Sequence, residues 1–200
     1  MDKELNINDR HDTESDEIIY ARYLKTSDNN DLKELLVRHR SDLTFFIYGI
    51  VKNSEDAEEI MLDAFAEAAS GTARFSGKSS FKTWLFGIGR NLAMKHLRKK
   101  RFLFFSLNEE IADGDEITAQ KGVPDTEFIK NERDRMLYQA LNSINPEYRQ
   151  ALHLIYFENM TSDETAVIMK KSKKQIYNLI SRGKQAMKEA LEKLGYEFEE

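Results

Sequence analysis

The chain has 200 residues, no cysteine and a net charge of −5. Its length admits one large domain or two small ones, and the absence of thiols excludes a disulfide framework, a cysteine-based zinc site and a thiol redox sensor. The acidic start Met1-Asp2-Lys3-Glu4-Leu5 argues against a secretory signal, and the longest apolar burst, Phe102-Leu103-Phe104-Phe105, is far too short to span a bilayer, so a cytoplasmic protein is expected.

Two prolines, sparse glycine and no sustained strand-like alternation predict an all-α fold. Residues 1–16 read as a flexible acidic N-terminus. A helix is expected from near Asp16. A second starts at about Asn30 and carries Leu32, Leu35, Leu36, His39, Leu43, Phe46, Ile47 and Ile50 on one stripe at helical spacing. A third starts at Ser54, a good N-cap, with Glu55, Asp56, Glu58 and Glu59 near the positive end of the helix dipole. A fourth starts at Ser79 or Ser80, buries Phe81, Leu85, Ile88 and Leu92, and ends in Arg98-Lys99-Lys100-Arg101, which suits a helix C-terminus. Gly87 and Gly89 inside it each cost roughly 1 kcal/mol relative to alanine, which points to close helix packing. The first domain is thus assigned to residues 17–101.

Residues 102–125 read as a flexible acidic linker, and residues 126–195 as a second domain of four helices. The first of these covers about 126–142. The second opens at Asn145-Pro146-Glu147, with Asn145 as cap and Pro146 at the first helical position, where no donor is needed. The third opens at the capping box Thr161-Ser162-Asp163-Glu164 and the fourth at a second one, Ser172-Lys173-Lys174-Gln175. Ile176, Ile180, Gly183, Met187 and Leu191 form the inner face of the last helix, and Gly195 marks its end.

The charges are sorted. Between Glu67 and Glu109 there is no acid but nine bases, and between Glu164 and Glu189 no acid but seven bases. Local potential, not net charge, decides whether a phosphate backbone is attracted, so two cationic blocks imply two contacts with a polyanion. Two capping boxes eleven residues apart leave a helix of about eight residues, a short turn and a longer helix, which is helix-turn-helix spacing. Ala166, Met169, Ile176 and Leu179 or Ile180 suit its interior. Lys170 stands where the turn usually has glycine, a positive-φ position that costs a lysine about 1 kcal/mol. The outer face of the last helix carries Lys173, Lys174, Gln175, Tyr177, Asn178, Ser181, Arg182 and Lys184, side chains that reach phosphates and base edges.

Leu141 to Leu152, Tyr156-Phe157-Glu158-Asn159-Met160-Thr161, Glu164-Thr165-Ala166, Gln175-Ile176-Tyr177-Asn178 and Ser181-Arg182-Gly183-Lys184 together resemble region 4 of the extracytoplasmic-function (group 4) sigma factors of the sigma-70 family. Asp56-Ala57-Glu58-Glu59-Ile60, Asp63-Ala64-Phe65, and the run from Phe75 through Trp84-Leu85 to Arg90-Asn91-Leu92-Ala93 and His96-Leu97-Arg98 resemble region 2. The resemblance implies a sigma factor that binds core RNA polymerase and directs initiation at −10 and −35 promoter elements. It assigns polymerase binding, on the β′ clamp, to Asp56, Glu58, Glu59 and Asp63. It assigns the −10 element and its melting to Phe75, Ser76, Gly77, Lys78, Ser79, Lys82, Arg90, Asn91, Lys95 and Arg98, and the −35 element to the outer face of the last helix. An anti-sigma factor is implied as a further partner. The acidic linker would lie in the polymerase's RNA path. Leu62 replaces the family's usual glutamine, and Lys95 its usual aspartate. Among the aromatics, Trp84 and Phe81 are read as core and Phe75 as the better candidate for a DNA contact.

The alternative is a helix-turn-helix regulator that binds duplex DNA without polymerase, which leaves the first domain's loop and acidic helix without a role. An enzyme is not expected: His11, His39, His96 and His153 are scattered without metal spacing, and no phosphate-binding loop or nucleophile elbow is present. No cofactor, metal or membrane insertion is expected.

Overall fold

The computed structural model describes residues 14–107 and 132–196. The described residues form eight helices. Helix α1 (Asp16–Thr26) has Asp16 and Glu17 in its first turn and stops at Ser27, in the left-handed region at φ 54°. Helix α2 (Asn29–Val51) is capped by Asp28, whose side chain accepts from the Asn30 N–H, and stops at Lys52, φ 60°. Helix α3 (Ser54–Ala69) starts where expected, but its cap is Asn53, which accepts from the Asp56 N–H at 2.8 Å; Ser54 is already helical. In α4 (Phe81–Leu107), Ser80 Oγ accepts from the Thr83 N–H at 3.1 Å. This helix runs past Arg101 to Leu107, so the basic tail lies inside it and not at its end.

Helix α5 (Glu132–Ser143) leads into α6 (Pro146–Tyr156), which is capped by Asn145 with Pro146 in the first turn. Both expected capping boxes are formed, at the starts of α7 (Ser162–Met169) and α8 (Lys173–Lys193). The expected beginning of α5 near residue 126, the acidic tether beyond residue 107 and the N-terminal segment up to residue 13 lie outside the described residues.

In the first half, α2 packs against α1, α3 and α4. Tyr20, Phe75, Phe81 and Trp84 form an aromatic cluster with ring centroids 5.0–6.2 Å apart, which seats α1 on the start of α4. The Phe81 N–H at that start donates to Glu17 at 2.7 Å. Gly89 is the contact point of α4 with α2: a β-carbon there would lie 2.9 Å from Leu43 Cδ1 and 3.2 Å from Ile47 Cδ1. Gly87 has no such neighbour, so close packing explains one of the two glycines only.

In the second half, Ala140, Leu141, Ile144, Leu152, Ala190 and Leu191 form a small core between α5, α6 and α8. The bare Gly183 lets α8 cross α6, with Leu152 and Tyr148 3.2–3.3 Å from where its β-carbon would be.

The two halves are docked. One apolar cluster runs from Ile19 and Leu35 in the first half to Leu154, Met169 and Ile176 in the second. Helix α7 lies along α4, and α6 lies across α2. Phe45 of α2 is within 5.2–6.3 Å of the rings of Tyr138, His153 and Phe157. Phe45 and Tyr48 lie off the sequence-read stripe of α2 and are buried because the second half covers that side. No helix among the described residues is long and apolar enough to cross a membrane.

Candidate nucleic-acid interface

The α7–α8 hairpin is set by local chemistry. Thr161 and Glu164 cap each other's backbone at the start of α7, with Glu164 Oε2 accepting from the Thr161 N–H at 2.9 Å. Helix α7 closes at Lys170, φ 54° and ψ 46°, the left-handed conformation expected of the turn. Ser172 and Gln175 then cap α8. Met169 and Ile176 are buried on either side of the turn, while Leu179 and Ile180 are half-buried. With the turn and both helix starts fixed, the outward face of α8 is fixed too.

Lys173, Lys174, Gln175, Tyr177, Asn178, Ser181, Arg182 and Lys184 are all exposed along that face, Tyr177 at 54%. Three of them have partners. Lys173 pairs with Asp163 at 2.7 Å, the Lys184 ammonium lies 5.2 Å from the Tyr156 ring centroid, and Gln175 accepts from the Ser172 N–H at 2.8 Å. Gln175 therefore serves the cap, and Lys174, Tyr177, Asn178, Ser181 and Arg182 are the part of the face free of these contacts, with Lys174, Asn178 and Arg182 in a four-residue rhythm.

The first half divides its candidate residues between two surroundings. Ser76, Gly77 and Lys78 are exposed on the loop before α4, with Gly77 at φ 68°, and Ser79 is half-buried. Asn91, Lys95 and Arg98 are exposed along α4. Ser79, Trp84, Asn91, Lys95 and Arg98 line one side of a groove of about 690 Å³ whose other side includes Val167 and Lys170 of the second half. Phe75, read as a contact candidate, is half-buried in the aromatic cluster, 5.1 Å from Trp84; Trp84 and Phe81 lie in the same cluster.

Lys82 and Arg90 face the second half. Lys82 Nζ sits 2.9 Å from Glu158, and Arg90, 8% exposed, donates from Nε to Gln150 at 2.7 Å. Burial pushes the Arg90 guanidinium below its ordinary value. Burial alone would push the Glu158 carboxyl up. His153, 2.9 Å away, and Lys82 outweigh it and hold Glu158 below the ordinary carboxylate range. Thr83 Oγ1 donates to Glu164 Oε1 at 3.0 Å, Arg149 donates to the Gly49 carbonyl at 2.9 Å, and Lys52 donates to Asn142. Sequence reading did not single out Gln150, Arg149 or Glu158 for these roles. The available signal was the off-stripe Phe45 and Tyr48, which demand cover from outside the first half.

On α3, Glu58, Glu59 and Asp63 are exposed around Leu62, itself 56% exposed. Asp56 is set apart from them: its carboxylate lies 3.1 Å from His96 and 3.6 Å from Lys100, so it ties α3 to α4. The outer face is thus an acidic rim around one apolar side chain.

The Sigma-70 region 2 family model matches residues 35–102, and the Sigma-70, region 4 model matches residues 134–187. The RNA polymerase sigma-H factor of Pseudomonas aeruginosa is 25% identical over 186 residues, covering 90% of this chain and 96% of its own. The ECF RNA polymerase sigma factor SigX of Bacillus subtilis is 24% identical over 165 residues, covering 80% and 83%. In fold, the chain is similar to the sigma factor RpoE of Bartonella quintana, solved with the anti-sigma factor NepR, at a TM-score of 0.62 and 24% identity over 81% of this chain and 97% of that one. The two family models fall in order on the two helical halves and together match more than half of the chain, which therefore belongs to the sigma-70 family as a sigma factor of the extracytoplasmic-function kind, directing transcription initiation by RNA polymerase.

Proposed function

We propose that the division of labour within this sigma factor follows its three exposed faces. The outer face of α8 reads the −35 element in the major groove, with Lys174, Asn178 and Arg182 as its central contacts. The loop Ser76–Ser79 receives a base that leaves the stack at the −10 element, and the exposed Asn91, Lys95 and Arg98 of α4 follow the adjoining backbone, while Lys82 and Arg90 are held by Glu158 and Gln150 of the second half. Glu58, Glu59 and Asp63 on α3 dock on the β′ clamp of core polymerase, with Leu62 adding an apolar contact at their centre. Asp56 supports that face from behind by holding α3 on α4.

The observation that carries this reading is the outer face of α8. Eight polar or cationic side chains stand exposed on one helix, without an acid among them, held in fixed orientation by two capping boxes and a left-handed turn. A merely solvated helix face mixes signs. An anti-sigma factor as a further partner is supported by the RpoE–NepR likeness in fold.

The test is transcription in vitro with purified core polymerase on fragmented genomic DNA, with and without this protein. Selective new start sites that share two sequence elements are expected. Unchanged start-site selection overturns the reading, and tight binding of the isolated protein to a palindromic duplex would mark a regulator instead.

A further inference from the structure

Helix α4 runs on past the body that it packs against. Near its end the six residues from Arg98 to Leu103 are all exposed, nearly two turns with no covered side. A packed helix instead buries a residue every three or four positions. Phe102 is 72% exposed, the most of any large apolar side chain among the described residues, and Leu103 is 47% exposed. A single exposed apolar side chain is ordinary. Two in a row at a projecting helix end, set among cations, call for a partner.

The cations are placed around the apolar pair. At about 100° per residue, Arg98, Phe102, Lys95, Lys99 and Leu103 follow one another around the helix within an arc of about 140°. All five are exposed, and no acid lies among them. Lys100 and His96 fall outside this arc and are turned to Asp56, at 3.6 Å and 3.1 Å. Lys95, Arg98 and Lys99 have no ion-pair partner among the described residues. A nucleic-acid strand would use the cations and an aromatic ring, but it has no use for the aliphatic Leu103. An anionic lipid surface uses every member of the arc: its charge attracts the cations, and the apolar tips enter the boundary between headgroups and acyl chains.

We propose that the end of α4 is a docking surface for an anionic phospholipid bilayer, with Phe102 and Leu103 seated among the headgroups and Lys95, Arg98 and Lys99 paired with lipid phosphates. The helix lies on the bilayer and does not cross it. An apolar tip or a basic patch alone gives marginal binding, and the two together hold a peripheral protein. The net charge of −5 repels the chain as a whole from such a surface. Salt screens that repulsion beyond about 8 Å, so the patch in contact decides. Lys95 and Arg98 are also assigned above to the −10 strand. On that reading, lipid and promoter strand compete for one face, and a chain held on lipid is withheld from DNA.

Flotation of the full chain with lipid vesicles tests the proposal. Vesicles of phosphatidylglycerol and phosphatidylcholine in equal parts should carry the protein at about 0.1 M salt and release it at about 1 M, and vesicles of phosphatidylcholine alone should not carry it. Phe102→Ser combined with Leu103→Ser should weaken partition by about tenfold or more, with unchanged helical circular dichroism and unchanged affinity for a fluorescent random-sequence single-stranded DNA 12-mer. Trp84 is the only tryptophan of the chain, so Phe102→Trp adds one reporter. The emission of that variant should shift to the blue on the anionic vesicles, while that of the wild type stays in place. No flotation of the wild type, equal flotation of the serine variant, or no blue shift would each overturn the proposal. Equal losses of vesicle and 12-mer binding by the serine variant would also overturn it and mark a nucleic-acid face. Should the serine variant lose its helical signal, the Phe102→Trp emission still decides. Selective transcription by the wild type with core polymerase reports separately on the promoter-binding reading.

Discussion

Gly89 and Gly87 differ by two positions in α4 and by everything in their surroundings. A methyl group at 89 meets Leu43 and Ile47 at 2.9–3.2 Å, against helix α2 in the middle of the first half. Gly89→Ala should lower stability by about 1–3 kcal/mol through overpacking. At 87 nothing lies within 4 Å, and Gly87→Ala should raise stability by up to about 1 kcal/mol through helix propensity. Urea denaturation of the two variants checks both signs. Sequence alone marked the two glycines as equal costs, because propensity sees the helix and not the neighbour.

Lys52, which ends α2, gives a second prediction at this scale. Burial and the charge of Arg149 push its ammonium down to about 7 from the ordinary 10.5. A lysine depressed in the folded state binds fewer protons than the unfolded chain between those two values, so stability should rise with pH across that window. Below pH 7 the cost of burying the charge is fully expressed. Lys52→Met should remove this slope and raise stability at pH 7, as read from denaturation midpoints between pH 6.5 and 9.5.

Among the elements, α7 and α8 were the most legible in the sequence, because their boundaries rest on capping boxes within four-residue windows. Thr161, Glu164, Ser172 and Gln175 act on their own backbone, and no distant contact can overrule them. Lys170 adopts the left-handed turn at the expected position. Replacing it with glycine should raise stability by up to about 1 kcal/mol, seen as a higher melting temperature, since glycine meets no β-carbon penalty there. The end of α4 was less legible. The basic tail has the chemistry of a C-terminus, yet the helix continues to Leu107 because no glycine, proline or cap follows Arg101 to stop it. For α8, the prediction concerns DNA: Lys174→Ala with Arg182→Ala should weaken promoter use tenfold or more on templates with an intact −35 element and far less when that element is scrambled. Run-off transcription on the paired templates measures the difference.

Over the whole molecule, sequence reading found two helical halves and their order but not that they dock. Docking rests on pairs more than fifty residues apart, such as Arg90 with Gln150 and Arg149 with Gly49, and neither partner is unusual in its own helix. The same distance effect hid the taking up of Lys82 and Arg90 and left Phe75 looking more available than its aromatic neighbours make it. The loop side chains that stay clear of the second half should act later than recruitment. Substituting Ser76, Lys78 and Ser79 together should leave polymerase–promoter association within about threefold of wild type and reduce permanganate reactivity of −10 thymines by an order of magnitude. Normal reactivity would remove the loop from strand opening.

Glu164 divides its two carboxylate oxygens: Oε2 serves Thr161 at the head of its own helix, and Oε1 reaches across to Thr83. Parting the halves strips only the second oxygen of its protein partners and leaves the first in place. The α7–α8 hairpin therefore owes its starts and its turn to residues within itself and not to the first half.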